Sequence, residues 1–500
     1  MNEMLMRVLH VCAEVFPLLK TGGLADVTAA LPRELRALGW DARLLMPGFP
    51  SVRDGICQVS LVARLGERFG AGAVSLYYGT LPANDIGVYF IDAPGLYDRA
   101  GSPYGAEHDG PYLDNHKRFA LLGWVAARIA AGLDVTWRPR IVHCHDWHAG
   151  LAPAYLRADT LNTGSLTAHS VFTIHNLAYQ GVFPAHLFPD TELSPSFFDI
   201  EGVEFHGQYS FLKAGLYYAD KITTVSPTYA NEIQHAEQGC GLEGLLRHRA
   251  GDLRGILNGV DETIWSPASD THLDAHYDET SLRGKVECKR ALQKATGLAL
   301  REDALLFGVV SRLAEQKGLH LLLDALPEIV TRGGQFLLLG SGDAELEQAF
   351  VRMADAHPSA VAVMIGYDEH MSHRIMAGSD VVMVPSRFEP CGLTQMFGLR
   401  YGALPLVRRV GGLADTVVDC SLENLADGSA TGFVFDAFDN VALGAAVRRA
   451  FALYARREDW LLVQQRAMRM RFDWHHAAVA ITDVYRQLVE IPVSQTGQAT

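Results

Sequence analysis

Leu305-Leu306-Phe307-Gly308-Val309-Val310-Ser311-Arg312-Leu313-Ala314-Glu315-Gln316-Lys317-Gly318 reads as a short apolar strand that breaks into a polar, cation-bearing turn and then opens a helix. A strand whose residues are nearly all apolar is buried on both faces, and such strands belong to parallel sheets covered by helices. The same unit recurs along the chain. In the first half, strands are predicted at Met6 to Cys12, Val88 to Ile91, Arg140 to His145, Ser170 to Ile174 and Lys221 to Val225. In the second half they are predicted at Leu305 to Val310, Gln335 to Leu339, Val361 to Ile365, Val381 to Val384 and Leu404 to Val407. Strands alternating with helical patterns over this length predict an α/β, doubly wound architecture.

A chain of 500 residues is too long for one ordinary core, so two domains are expected. Leu257-Asn258-Gly259-Val260-Asp261, Trp265-Ser266-Pro267 and an acidic stretch from Asp270 to Glu279 separate the halves. The reading is a first domain over 1–258, a linker region over 259–280, a second domain over 281–472, a closing helix over 473–491 and a tail over 492–500. Gly22-Gly23-Leu24-Ala25-Asp26 recurs as Gly411-Gly412-Leu413-Ala414-Asp415, each opening a helix. The echo fits two similar halves, or the chance repetition of a common helix start.

The formal net charge of -14 argues against nucleic acid or an anionic membrane as a partner. Seven cysteines, at 12, 57, 144, 240, 288, 391 and 420, have no Cys-x-x-Cys pair and no zinc-like spacing, which fits a reduced cytoplasm. Val8 to Leu19 is interrupted by His10 and Glu14 and lacks a cleavage pattern, so it reads as a strand rather than a leader. The apolar stretch Phe119 to Leu133 contains Arg128 and falls short of the roughly 20 residues that span a bilayer.

Candidate sites sit where predicted strands end. Lys20-Thr21-Gly22-Gly23-Leu24-Ala25-Asp26 combines a cation, a glycine turn and a helix start, which suits an anion, although a plain helix entry with an exposed lysine has the same pattern. Gly-x-Gly-x-x-Gly does not follow the first strand, which weighs against a nicotinamide cofactor. His143-Cys144-His145-Asp146-Trp147-His148 and Thr173-Ile174-His175-Asn176 close two further strands, and α/β sheets open their ligand crevices at such ends. These residues suit catalysis, structural satisfaction or, less readily, zinc. Arg312 and Lys317 pair a planar fork with a point charge, a combination that can neutralise a departing diphosphate; two solvated loop cations are the alternative. Pro385-Ser386-Arg387-Phe388-Glu389-Pro390-Cys391-Gly392-Leu393-Thr394 places a carboxylate before a helix expected to begin near Gly392, with Pro390 holding Glu389 extended. Cys391 reads as wall rather than nucleophile, since no basic partner is apparent. Gly340-Ser341-Gly342-Asp343 and Gly366-Tyr367 are further strand-end turns that can frame a base or ribose.

Together, Lys20-Thr21-Gly22-Gly23-Leu24, His145 to His148, Ile174-His175-Asn176, Leu257 to Asp261, Ser311-Arg312-Leu313 with Gln316-Lys317-Gly318, and Glu389 to Gln395 resemble bacterial glycogen synthases and plant starch synthases, in the family's order and over about residues 7 to 490. The resemblance implies a GT-B fold: two Rossmann-like domains facing across a deep cleft, with the last helix returning to the first domain. It implies a retaining hexosyltransferase that moves glucose from ADP-glucose, a co-substrate, to an α-1,4-glucan, glycogen or maltodextrin, with no cofactor and no metal. By position, Lys20, the Gly22-Gly23 turn and Asp26 would meet the donor. Arg312 and Lys317 would hold its diphosphate, and Glu389 would bind the transferred sugar. Asp146 and His175 would line the acceptor side. His148, Asn258, Gly366, Tyr367, Cys391, Gly392, Leu393 and Thr394 complete the expected substrate-binding set. Tyr104, after Gly101-Ser102-Pro103, resembles a glucan-contacting position or is an ordinary loop tyrosine. Many relatives of the fold carry a second glutamate where this chain has Phe397; the glycogen and starch synthase branch lacks it. The alternatives are the same fold with UDP-glucose or a small acceptor, or a non-catalytic glucan-binding scaffold.

Overall fold

The computed structural model describes residues 6–82, 85–106 and 110–489. The expected tail 492–500 lies outside the described residues, as do 490 and 491 of the expected closing helix. The chain divides into two compact units: one takes in the described residues up to Val225, Ala230–Gly259 and Trp474 onward, the other Ser226–Tyr229 and Val260–Asp473.

The first unit is built on a nine-stranded sheet. Its order is Leu253–Gly255, Lys221–Thr224, His169–Ile174, Ile141–His145, Met6–Val11, Trp40–Pro47, Gly87–Asp92, Ala73–Thr80 and Cys57–Glu67. The first seven run parallel, and the last two pair antiparallel at the edge. Chain order reverses between Met6–Val11 and Ile141–His145: from the first, the chain moves outward through Trp40–Pro47, and from the second it moves the other way. A crevice opens at such a switch point, outside the carboxyl ends of the strands. The helix Trp474–Val489, within the span 473–491 expected for the closing helix, packs on the helix Gly23–Ala37. It buries Trp474, Ile481, Tyr485 and Leu488 against Val8, Leu31, Trp40 and Ile141.

The second unit repeats the plan with six strands, all parallel. Their order is Val361–Ile365, Gln335–Gly340, Leu306–Val310, Val381–Val384, Leu404–Arg408 and Phe433–Phe435. The reversal here falls between Leu306–Val310 and Val381–Val384. Residues after Val260 bring their own core into this unit: Trp265 lies between His373 and Phe397, with ring centroids 3.7 and 3.8 Å away. Asp270 accepts hydrogen bonds from His373 Nδ1 at 2.7 Å and Tyr401 Oη at 2.5 Å.

The structure differs from the sequence reading in places. Trp40–Pro47, the pair Cys57–Glu67 and Ala73–Thr80, and the three-residue Leu253–Gly255 and Phe433–Phe435 were not among the predicted strands. The edge strand leaves Val59 and Leu61 exposed and so lacks the continuous apolar run that marks a buried strand. The helix after Glu389 begins at Thr394 rather than near Gly392, because Gly392 sits at φ +71° and Leu393 caps the helix. Among the described residues, no helix is long and apolar enough to cross a membrane.

Candidate active site

In the first unit the loops leaving Met6–Val11 and Ile141–His145 meet because their strands are neighbours. Glu14, only 3% exposed, organises the first loop. Its carboxylate accepts hydrogen bonds from Thr21 N at 2.6 Å, Thr21 Oγ1 at 2.6 Å and Gly22 N at 3.2 Å, and also from Tyr104 Oη. It thereby holds the Lys-Thr-Gly-Gly turn in shape. Lys20 extends from that turn and pairs with Asp26, Nζ to Oδ1 at 3.0 Å. Gly22 is in extended backbone at φ -162°, and a Cβ built on it would meet nothing within 4 Å. The turn presents open backbone, and Gly23 starts the following helix. Tyr104, half-buried, stacks on His148 at 4.7 Å and 20° while its hydroxyl is held by Glu14, so it is fixed rather than a free loop side chain.

Asp146 ends the Ile141–His145 strand at φ +59° and ψ -179°, a region otherwise left to glycine. The strain is held by the N–H of Asp146 donating to Thr173 O at 2.9 Å. Asp146 Oδ1 in turn accepts the backbone N–H groups of His175 at 3.1 Å and Asn176 at 3.3 Å. The strained residue thus clamps together two strand ends that carry predicted site residues. Burial, with a contribution from the Glu14 charge and against those two N–H donors, pushes the Asp146 carboxyl up to about 7. Burial holds His175 and His148 down at about 3, so both are neutral imidazoles near neutral pH. His175 Nε2 lies 3.0 Å from His145 Nδ1, and His145 Nε2 lies 2.9 Å from His10 Nδ1. Asn258 joins His143, His145 and His175 around a small cavity of about 20 Å³ in the same unit.

His10, His143 and His145 each bring a nitrogen within 4.8 Å of the others, near enough to raise the question of a metal. The same nitrogens already have protein partners: His10 Nδ1 lies 2.9 Å from His145 Nε2, and His145 Nδ1 3.0 Å from His175 Nε2. Both nitrogens of His143 are also engaged, by Tyr485 Oη at 2.6 Å and Thr173 Oγ1 at 2.5 Å.

In the second unit Lys317 follows the Leu306–Val310 strand and Glu389 follows the neighbouring Val381–Val384 strand, so the two come together at the switch point. Lys317 Nζ lies 2.6 Å from Glu389 Oε2, which also accepts the Ser386 hydroxyl at 2.8 Å. Gly318, at φ +66°, brings the Lys317 loop against this segment: a Cβ there would come within 2.3 Å of Pro385 O. Arg387 N donates to Gln316 O at 2.8 Å, a further tie between the loops. Arg312 is exposed and, among the described residues, makes no ion pair. The second Gly-Gly pair supports the Glu389 loop from below. Gly412 N donates to Glu389 O and Pro390 O at 3.2 and 3.1 Å, and a Cβ on Gly411 or Gly412 would come within 2.1 Å of the carbonyl oxygen of Glu389 or Cys391. Cys391 is buried; Gly392, Leu393 and Thr394 lead into the helix Thr394–Arg400. Gly366, at φ +124°, and the largely exposed Tyr367 stand at the end of Val361–Ile365. Phe397 is spent on stacking with Trp265.

Within each unit, then, some of the expected residues follow the strands that flank the switch point, Lys20, Asp26, Asp146 and His148 in the first and Arg312, Lys317 and Glu389 in the second, whereas Asn258, Gly366 and Tyr367 follow edge strands. Sequence reasoning missed Glu14, Ser386 and the supporting role of Gly411-Gly412. Glu14 had left a trace, as an acid interrupting an apolar run at the end of the first strand.

Two successive Rossmann-like units with charged and imidazole side chains at their switch points are the architecture of GT-B glycosyltransferases. Comparison with known proteins agrees. Residues 7–248 match the family described as "Starch synthase catalytic domain" and residues 293–461 that described as "Glycosyl transferases group 1". The glycogen synthase of Francisella philomiragia is 58% identical over 97% of this chain and 100% of its own length. That of Francisella tularensis subsp. novicida is likewise 58% identical, over 97% and 99%. The solved catalytic domain of starch synthase IV from Arabidopsis thaliana, bound to ADP and acarbose, superposes with a TM-score of 0.88 at 32% identity, covering 97% of this chain and all of that one. A sucrose-phosphate synthase from Thermosynechococcus elongatus shares the fold, with a TM-score of 0.58 at 16% identity over 97% of this chain and 99% of its own. The chain belongs to the glycogen and starch synthase family and is a hexosyltransferase.

Proposed function

We propose that this protein transfers glucose from ADP-glucose to the non-reducing end of an α-1,4-glucan, glycogen or maltodextrin, with retention of configuration. The observation that carries this reading is the Lys317–Glu389 contact of 2.6 Å on the loop that also carries the exposed Arg312. An ammonium group has three protons to donate, so Lys317 can keep one on Glu389 and direct the others at a diphosphate. Arg312 supplies a planar fork to the same charge. Glu389, fixed by Lys317 and Ser386, accepts hydrogen bonds from the hydroxyls of the transferred glucose. As the glucosyl bond breaks, negative charge grows on the departing diphosphate, and these two preplaced cations stabilise it more in the transition state than before. They supply what a divalent ion would, so no metal or cofactor is required; a chelator is expected to leave the rate unchanged, and inhibition reversed by a divalent ion would contradict this.

On the acceptor side, Asp146 and His175 orient the incoming 4-hydroxyl, and the departing phosphate takes its proton. Lys20, Asp26 and the open Gly22-Gly23 backbone meet the donor from the first unit, while Gly366, Tyr367 and residues 391–394 frame its nucleotide. His148, Asn258 and Tyr104 shape the wall for the glucan. The ADP and acarbose bound to the Arabidopsis starch synthase support an adenine nucleotide and a glucan-like acceptor. Seven free cysteines support a cytoplasmic location. The test is incubation of the purified protein with glycogen and either ADP-glucose or UDP-glucose. ADP release that outpaces UDP release supports the proposal, and preference for UDP-glucose or absence of transfer overturns it.

A further inference from the structure

Arg118 has a positive charge that its own fold does not neutralise. It lies on the helix Asn115–Ala130 and is 1% exposed. Nε donates to Leu96 O at 2.8 Å, and Nη1 to Pro103 O at 2.8 Å and to Asn115 Oδ1 at 2.6 Å. Among the described residues Nη2 has no hydrogen-bond partner, and no carboxylate forms an ion pair with Arg118. The nearest acid, Asp114, is engaged by Arg99 through both oxygens, at 2.7 and 2.5 Å. Two guanidinium groups therefore share one carboxylate. The rings of Tyr112, Phe49, Phe119 and Tyr97 lie 4.6 to 5.9 Å from the Arg118 guanidinium carbon and keep it in apolar surroundings. Burial lowers its affinity for its proton, as expected of a cation short of counter-charge.

Arg118 borders a pocket of about 540 Å³ within the first unit, together with Arg99, Lys20, Ser51 and Ser102. That volume lies within the range of about 300 to 1,000 Å³ common for small-molecule sites. The one acid in the lining, Asp98, has its own cation, Arg53, at 3.4 Å. Carbonyl acceptors explain where Arg118 sits, but a neutral donor would satisfy them; the residual charge, offered through the two remaining N–H groups on Nη2, is what an anionic oxygen complements. We infer that this pocket of the first unit, whose lining includes the expected donor contact Lys20, binds a small ligand bearing a phosphate monoester or carboxylate, held by Arg118 and Arg99.

The test is calorimetric titration of the full-length protein with inorganic phosphate, glycerol 3-phosphate and acetate, with glycerol as the uncharged control. The two phosphates and acetate separate the two sources of the charge. Saturable binding of at least one anion, one per chain, is expected in an Arg312→Ala, Lys317→Ala double variant, which removes the proposed diphosphate clamp and is the background for the changes that follow. Affinity is expected to fall about tenfold or more in Arg118→Gln. Should Arg118→Gln fail to fold, Ser51→Glu decides: Ser51 is exposed, and a carboxylate there competes with the ligand. Undiminished binding when Ser51→Glu or Arg118→Gln is added to the double variant, or binding of no anion by the double variant, would each overturn the inference. Transfer from ADP-glucose by the wild type, assayed alongside, reports separately on the function proposed above.

Discussion

Lys317 and Glu389 show how much of a site can rest on two side chains brought together by strand order. They are 72 positions apart, and each follows one of the two strands that flank the reversal in the second sheet. Lys317→Ala and Arg312→Ala are expected to lower kcat by about 10²- to 10³-fold each, the usual cost of removing one preplaced donor from a developing anion. Glu389→Gln keeps the shape but loses the ion pair with Lys317, and its effect should appear in kcat more than in nucleotide affinity, as measured by steady-state kinetics and ADP titration. Asp146 belongs at this scale too. With its carboxyl near 7, a rate that depends on the ionised form falls as pH drops through neutrality. Asp146→Asn should remove that limb from the pH–rate profile, and an unchanged profile would assign it to another group. The cations, the strand-end imidazoles and Glu389 were legible because their residue types stand directly after apolar runs. Glu14 was not, because nothing near it in sequence shows that Thr21, Gly22 and Tyr104 fold back onto it.

The two Gly-Gly helix starts look alike in sequence and do different work. A methyl group on Gly22 would meet empty space, and its φ is open to any residue, so Gly22→Ala should leave Tm unchanged; a rise in KM for the donor would then report a ligand approaching the backbone. A methyl on Gly412 would strike the carbonyl of Cys391, so Gly412→Ala must displace the loop that carries Glu389. A loss of kcat of about tenfold or more is expected together with a lower Tm, since small misplacements of a reacting group are expensive and a clash with buried backbone is too. The sequence showed the echo but could not separate a glycine needed for a ligand from one needed for packing, because that depends on what lies opposite. For the same reason the buried parallel strands were legible from their apolar runs, while the exposed edge pair Cys57–Glu67 and Ala73–Thr80 was not.

Across the whole chain, burial keeps five histidines of the first unit neutral. His10, His148 and His175 are held at about 3 against 6.5 in an unfolded chain, and His143 and His145 also lie well below that value. Between these limits the unfolded chain binds more protons than the folded one, so stability is lost as pH falls below 6.5. One such histidine is worth about 2 kcal/mol by pH 5. Asp146, with its raised value, works in the opposite direction over about 4 to 7, but it is one group against five. Denaturant titrations at pH 7.5 and 5 should therefore show a marked loss of stability at the lower pH, and equal midpoints would contradict the buried neutral cluster. The closing helix ties into the same cluster through Tyr485 and His143, so ending the chain before Trp474 should destabilise the first unit well beyond the loss of a surface helix. The most direct test of the account is single-turnover transfer from ADP-glucose to maltodextrin by the wild type and by Lys317→Ala, with ADP affinity measured alongside. Rapid α-1,4 transfer in the wild type, slowed by about two orders of magnitude or more in a variant that is still folded, is the predicted result. Near-equal rates in the two proteins, or no transfer in the wild type, would contradict it.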